Sequence, residues 1–281
     1  MLCLRVVLAP AYPARGYGWM YYRLFFGACL IILPALAQAA QGVQFSAQAI
    51  ERAPSGVERA AGLFVGDGAV RTEYRANGEP VVEIVVMSRG KRLVIYPSRS
   101  EYIEIAGYSA PDLSADQATS NPCTGLSATR CTRIGDVVID GRKAVKWEML
   151  TKQHDKTVRT LLWIDNVYGF SLKELLPDGA LAELRLLGLE KVNGRNTEKW
   201  QRIITMPDGT SQNMLQWYDP ELKLTVREQL PNGFTRELRQ IKLAKQPEEL
   251  FQIPAGYKKT DPPVRKEADR QQQPAAPALY R

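Results

Sequence analysis

The sequence predicts a mainly β protein, built as one large curved antiparallel sheet with few short helices. Three observations lead to this prediction: a duplicated segment of about 53 residues, turn dipeptides at short intervals, and alternation of apolar and polar residues between the turns. Short turns between consecutive strands imply antiparallel neighbours. Because helical periodicity is scarce, the apolar face of the sheet must be covered by closing, by forming a sandwich, or by curling around something else.

The first 39 residues are predicted to be a secretory signal peptide. Arg23 precedes an apolar run from Leu24 to Leu36, and the small residues Ala37 and Ala39 follow, which is the layout of a cleavable leader. Met20 is an alternative start, and an uncleaved anchor is the alternative interpretation of the apolar run. The protein is therefore expected in the periplasm, with membrane association as the other option.

Residues 40–260 are expected to form a single β domain, followed by a disordered tail at 261–281. The tail is rich in Pro, Gln, Ala and charge, and it lacks the apolar content needed for packing. The chain has a net charge of +7, but the leader and residues 258–281 each contribute +3, so the body lies near +1. A body of this charge carries no basic stripe, and we expect no nucleic-acid partner.

Two cysteines, Cys123 and Cys131, remain once the leader is removed. In an oxidising compartment, a pair eight residues apart is best explained by a disulfide that closes a small loop. A structural zinc site needs about four ligands, and His154 is the only histidine of the chain. We therefore predict no metal and no other cofactor.

The duplication is the clearest pattern in the chain. The stretch DGRKAVKW at 140–147 returns as NGRNTEKW at 193–200, and after one inserted residue the offset changes from 53 to 54. The two units span 135–187 and 188–242. DG and NG in the two stretches are signals for two-residue hairpin turns, because these residues accept a positive φ. PDGA at 177–180 and PNGF at 231–234 form a second matched pair of turns.

Strands fill the segments between these turns. In LKLTVR at 222–227, apolar and polar residues alternate, as in a sheet with one wet face. Before Cys123, the turns GDG, ANGE, SRGK and PSRS divide about four further strands. We expect ten to twelve strands in all, with short helical turns only at 112–118 and 247–251.

Four tryptophans recur in register across the duplication, and they are the candidates for contact with a ligand: Trp147, Trp163, Trp200 and Trp217. Packing in the core is the alternative, because each would bury a large apolar area. Both interpretations hold together if the same face of the sheet forms the packed core and lines the ligand cavity.

No catalytic signature is present, and we predict that the protein is not an enzyme. His154 lies where the second unit has a turn, so an exposed turn residue is the simpler interpretation. Asp165 and Asp219 match across the duplication and would be the carboxylate pair of a glycosidase. Each precedes a turn, however, and a turn-initiating Asp that accepts hydrogen bonds from its own backbone is the favoured interpretation.

The order of Gly-Arg, Trp, Trp-x-Asp and the ending LFQIPAGYKK at 250–259 resembles the LolA/LolB-like superfamily of exported proteins. The matching pieces are Gly194-Arg195, 216–230, 231–238 and 253–257. That superfamily includes periplasmic lipoprotein carriers and RseB-type stress sensors. The resemblance implies an open, strongly curved antiparallel half-barrel with an apolar concave face, which in the carriers holds acyl chains beneath short helical lids.

Two functions are consistent with these features. The first is an exported cell-envelope binding protein, which holds an apolar ligand, a lipid or a lipoprotein acyl chain, on the concave face of the sheet. The alternative is an envelope sensor or assembly factor that binds another protein and no small molecule. A self-packed concave face would favour the alternative.

Overall fold

The computed structural model describes residues 43–87, 90–106, 121–124, 126, 128–153 and 155–261. The predicted signal peptide, the helical turn at 112–118, His154 and all but the first residue of the predicted tail lie outside these residues. The first six strands are β1 (Phe45–Arg52), β2 (Glu58–Val65), β3 (Ala69–Ala76), β4 (Glu79–Val86), β5 (Lys91–Tyr96) and β6 (Glu101–Ala106).

Ten more strands follow the described part of the Cys123 loop. They are β7 (Thr129–Ile139), β8 (Arg142–Gln153), β9 (Lys156–Asp165), β10 (Ser171–Leu175), β11 (Leu181–Val192), β12 (Arg195–Thr205), β13 (Ser211–Asp219), β14 (Leu224–Gln229), β15 (Thr235–Leu243) and β16 (Lys258–Lys259). Two short 3-10 helices, Pro97–Arg99 and Glu248–Phe251, complete the described elements. Among the described residues, no helix is long and apolar enough to cross a membrane.

All sixteen strands belong to one curved sheet, and the predicted fold class is confirmed. The strand order is β16-β6-β5-β4-β3-β2-β1-β15-β14-β13-β12-β11-β10-β9-β8-β7. Every pair is antiparallel except β16 with β6. Within the described ranges no pairing joins β7 to the opposite end, so the sheet stays open. The expected number of ten to twelve strands was too low. Six described strands, not four, precede Cys123, and β16 forms only by pairing with Glu101 and Tyr102.

Two meanders make up the sheet and meet in its middle. β1 to β6 run outward in chain order, whereas β7 lies at the far end and the chain returns inward from it to β15. The two meanders join where β15 pairs with β1, with Leu238 opposite Ala49. The long β7–β15 meander contains both copies of the duplicated segment.

Bulges recur at matching places in the two copies and help to curve the sheet. The register of β7 shifts between Arg133 and Gly135, and that of β11 shifts between Leu186 and Gly188, 53 residues later. A second pair of shifts leaves Leu172 in β10 and Val226 in β14 unpaired, 54 residues apart. Each bulge bends its strand and increases the local twist, so the duplication repeats the same bends.

The copies also build two similar cores. The smaller core packs Leu172 and Leu184 against Trp200 and Tyr218, which belong to the second copy. In the larger core the corresponding residues, Val226 and Leu238, pack instead against residues of β1 to β3, which include Phe45, Ala47, Ala49, Ala61, Leu63, Val65 and Val70. The packing partners of the two cores differ because β1 is the next strand of the sheet after β15.

The end of the described chain covers a third core, which is formed by side chains of β4 and β5. Val82, Ile84, Leu93 and Ile95 pack there, with Phe251, Ile253 and Tyr257 against them. The helical turn expected at 247–251 is the 3-10 helix that carries Phe251. The predicted disulfide is present as well, with the Cα atoms of Cys123 and Cys131 5.6 Å apart.

Candidate functional site

The repeated Gly-Arg dipeptide places an arginine against a buried aspartate. Nε and Nη2 of Arg142 each donate a hydrogen bond of 3.0 Å to the carboxylate of Asp165. The same carboxylate accepts hydrogen bonds from the backbone N–H groups of Val167 and Tyr168, at 3.1 and 2.7 Å. Asp165 has no exposed surface. It therefore fixes the turn that follows β9, as the sequence predicted.

The second copy repeats this arrangement. Arg195 donates through Nε to Asp219 and through Nη2 to Glu221, the latter at 2.7 Å. Asp219 accepts from the backbone N–H groups of Glu221 and Leu222 at 2.9 and 3.1 Å. Both aspartates are saturated by an arginine and by their own turns. They serve the fold, and neither faces an open site.

The four tryptophans do not share one face of the sheet. Trp147 lies opposite Leu162 across the β8–β9 pair, whereas Trp163 lies opposite the neighbouring Lys146. Because side chains alternate along a strand, Trp147 and Trp163 point to opposite faces. The same holds for the second copy, in which Trp200 lies opposite Gln216 and Trp217 lies opposite Lys199.

Burial separates the four further. Trp200 is fully buried and Trp217 is 3% exposed, whereas Trp147 and Trp163 are half-buried. Trp200 makes an edge contact with Phe170, at 5.6 Å between ring centroids, and the guanidinium of Arg142 lies 5.1 Å from its ring. Trp163 and Trp217 lie on one face, which we call the Trp163 face. Among the four, Trp163 is the half-buried tryptophan on that face.

One side chain from each of β8, β9, β10 and β11 forms a line across the Trp163 face. Lys146 pairs directly with Trp163, Trp163 with Lys173, and Lys173 with Glu183. We call these four residues the first row. The ammonium groups of Lys146 and Lys173 lie 4.9 and 5.8 Å from the centroid of the Trp163 ring, within the range of cation–π contacts.

The second copy carries the same line across β12 to β15. Lys199, Trp217, Arg227 and Glu237 pair directly in that order, and we call them the second row. Its cations lie 5.1 and 4.7 Å from the ring of Trp217. The acid at the end of each row also binds an arginine two residues later, Arg185 in the first copy and Arg239 in the second.

The rows differ beside their first lysine. In the second copy Glu190 lies 2.9 Å from the ammonium of Lys199, and this hydrogen bond lowers the pKa of Glu190. Val137 occupies the corresponding position of the first copy, 53 residues earlier. Among the described residues, Lys146 therefore has no carboxylate within ion-pair distance.

A groove of about 470 Å³ opens beside the first row. One part of its lining is apolar and consists of Val137, Val138, Ile139 and Trp163. The other part is charged and consists of Asp140, Lys173, Glu183 and Arg185. The groove therefore places an aromatic and aliphatic wall directly beside four charged side chains.

Sequence reasoning named Trp163 but missed the groove and the two lysines of the first row. A signal was present, because an alignment at an offset of 53 places Val137 opposite Glu190 and shows where the copies diverge. No group of three or more His, Cys, Asp or Glu residues in the described part of the chain could hold a metal ion. The described side chains of the groove include two acids, a lysine and an arginine, and no nucleophile paired with a base.

No protein-family model and no curated protein matches the chain. Several solved structures are similar to it. A LolA superfamily protein from Nitrosomonas europaea is 16% identical, with a TM-score of 0.34, and the match covers 80% of this chain and 97% of that one. A putative outer membrane lipoprotein-sorting protein domain from Vibrio parahaemolyticus is 11% identical, with a TM-score of 0.30 and coverage of 76% and 92%.

The lipoprotein LppX from Mycobacterium tuberculosis is 13% identical, with a TM-score of 0.30, and the match covers 76% of this chain and 97% of that one. The fold of the present chain is defined by its own strand pairing, as described above. The superfamily that the sequence resembles is thus represented among the solved structures similar to this chain.

Proposed function

We propose that the protein is a non-enzymatic binding protein of the cell envelope, and that it holds an apolar ligand, a lipid or a lipoprotein acyl chain, in the groove beside Trp163. The observation that carries this proposal is the contrast between the two copies. The same row of side chains is closed by an ion pair at Trp217 and lies beside an open groove at Trp163. Export to the periplasm, expected from the leader, belongs to the same proposal.

The packed cores support the choice of this groove over the rest of the apolar surface. Phe45, Leu63 and Val65 have no exposed surface, and Trp200 is equally buried. These side chains are covered by the chain's own turns and strands, so a ligand would have to displace them. At the groove, by contrast, Val137, Ile139 and Trp163 are only half-buried.

An envelope protein partner is the second candidate function, and exposed leucines favour it. Leu187 and Leu189 in β11 are 51% and 83% exposed. A partner that covers them would use a surface beside the β11 bulge and would need no groove. The two candidates differ in what accompanies the protein when it is purified: a small apolar molecule in the first case, and a polypeptide in the second.

The test is native mass spectrometry of the protein purified gently from an exporting host, for the wild type and for V137E. The substitution places a carboxylate beside Lys146, as Glu190 lies beside Lys199. We expect a bound lipid on the wild type that is lost on denaturation and is absent from V137E. The matched control is I134E, which adds the same charge to β7 at a residue that is 50% exposed and does not line the groove.

Thermal unfolding of V137E distinguishes loss of binding from loss of the fold. A second variant, W163L, removes the aromatic wall without adding a charge. A wild-type protein that carries no lipid, and acquires none on incubation with envelope lipids, would refute the proposal. Equal lipid occupancy in the wild type, V137E and W163L would refute the assignment to this groove.

A further inference from the structure

The geometry of the first row points to an anionic ligand headgroup of the phosphate type, bound by Lys146 and Lys173 at Trp163, with the apolar chain along Val137 and Ile139. This inference rests on the proposed function, because it specifies the headgroup of the ligand placed in the groove. It adds a charge requirement that an apolar groove alone does not impose.

The position of the two lysines favours an anion at Trp163. They stand on β8 and β10, on either side of the strand that carries Trp163, and both ammonium groups lie within 6 Å of its ring centroid. Two cations held near one ring leave the space at its edge positively charged. Both lysines have flexible side chains that can turn from the ring towards a phosphate-type group placed there, and such charge-assisted bonds are stronger than neutral ones.

The charges around the first row are less fully paired than those around the second. Glu183 is shared between Lys173, at 3.6 Å, and Arg185, at 3.0 Å. Lys146 has no acidic partner among the described residues, because Val137 stands where the second copy has Glu190. The first row therefore lacks the acid that neutralises its counterpart, and a ligand anion would take that place.

Charge and apolar surface are separated along the groove. Lys146 lies opposite Gly135, two residues before the β7 segment that lines the groove, and Val137 and Ile139 follow along that strand. Asp140, the other acid of the lining, lies beyond Ile139 at the hairpin turn, about 15 Å along the strand from Gly135. The groove thus offers cations at one end and aliphatic side chains next to them, which suits an amphiphile with a charged head.

The experiment is calorimetric titration of the protein, purified from an exporting host and stripped of bound lipid, with three probes below their micellar concentrations. Octyl phosphate carries both the charge and the chain, octyl glucoside carries the chain alone, and inorganic phosphate carries the charge alone. We expect octyl phosphate to bind more tightly than either other probe. The variants K146Q and K173Q should each weaken its binding by about fivefold, as for a partly exposed ion pair.

The matched control is K199Q in the second row, where the lysine already has Glu190 as its partner, and octyl phosphate binding should not change. Octyl glucoside that binds as tightly as octyl phosphate, with no effect of K146Q, would overturn the inference and leave the proposed function standing. Inorganic phosphate that binds as tightly as octyl phosphate would show an ion site without a chain, which also overturns it. Failure of both octyl probes to bind would overturn the inference together with the proposed function.

Discussion

Val137 and Glu190 occupy the same position in the two copies of the duplicated unit, and only Glu190 forms an ion pair with the lysine of its row. The four residues of each row are matched in type: a lysine, a tryptophan, a second cation and a glutamate stand in line in both copies. The glutamate thus accompanies the ion-paired row at Trp217, and the valine accompanies the open groove at Trp163.

This relationship predicts that E190V opens a second site. Removal of the carboxylate frees Lys199 and gives the second copy the aliphatic residue of the first. We expect the variant to bind two molecules of octyl phosphate, where the wild type binds one, as counted by native mass spectrometry. E221V, which removes an exposed glutamate bound to Arg195, is the control and should still bind one. A single ligand on E190V would show that Trp217 is held closed by its core packing.

The Arg142–Asp165 pair predicts a large loss of stability on substitution of the arginine. R142A leaves a fully buried carboxylate with only backbone partners, and the free energy of unfolding should fall by about 3 kcal/mol. Urea unfolding measures this change. R52A, which breaks the exposed pair with Glu58, should cost under about 1 kcal/mol. Equal effects of the two substitutions would contradict a structural role for the buried pair.

Trp200 and Trp163 should respond in opposite ways to truncation. W200A removes a fully buried ring and should lower the free energy of unfolding by about 3–5 kcal/mol. W163A removes a half-buried ring and should affect ligand binding far more than stability. Urea unfolding and octyl phosphate titration of both variants test this contrast. Binding lost in a folded W200A variant but kept in W163A would reverse the assignment.

The aromatic cluster that Tyr168 forms with Phe170 and Tyr218, at 5.3 and 5.1 Å between ring centroids, predicts sensitivity to alkali. Burial, and then the hydrogen bond to Glu198, raise the pKa of Tyr168 from 10.0 to about 12. The folded protein therefore holds the phenolic proton more tightly than the unfolded chain. Its contribution to stability is complete below pH 10 and is lost as the pH rises through about 12.

Urea unfolding at several pH values between about 10 and about 12 checks this prediction. Y168F lacks the titrating group, so its stability should fall less over this range than that of the wild type. Y257F is the control, because it removes a phenol outside the cluster. A fall of equal size in the wild type and Y168F would count against the prediction.

The sheet and its duplication were accessible from sequence because both depend on local patterns. DG and NG encode the hairpin turns. Asp165 and Asp219 precede turns and accept hydrogen bonds from the backbone N–H groups of those turns, so these features follow from residue type. The register between strands has no comparable signal. A shift of one residue moves a side chain to the other face, which is why the four tryptophans could be listed together although they point in opposite directions.

The bulges were equally hidden from sequence reasoning. Gly135 and Gly188 mark two of them only in hindsight, because a glycine within a strand has several explanations. The groove depends on the register and on the bulges together, so its lining could not be assembled from sequence. The difference between the two copies at the groove was nevertheless visible in the sequence, because the duplication aligns Val137 with Glu190.

The indole N–H signals of the tryptophans report directly on whether the ligand binds in the Trp163 groove. Nitrogen-15 spectra of the protein, purified from an exporting host, are recorded while octyl phosphate is added, with signals assigned from single Trp→Phe variants. We expect the signal of Trp163 to shift with added octyl phosphate until it saturates, while the signals of Trp200 and Trp217 stay in place. A saturating shift of Trp200 or Trp217, with Trp163 unmoved, would contradict this expectation.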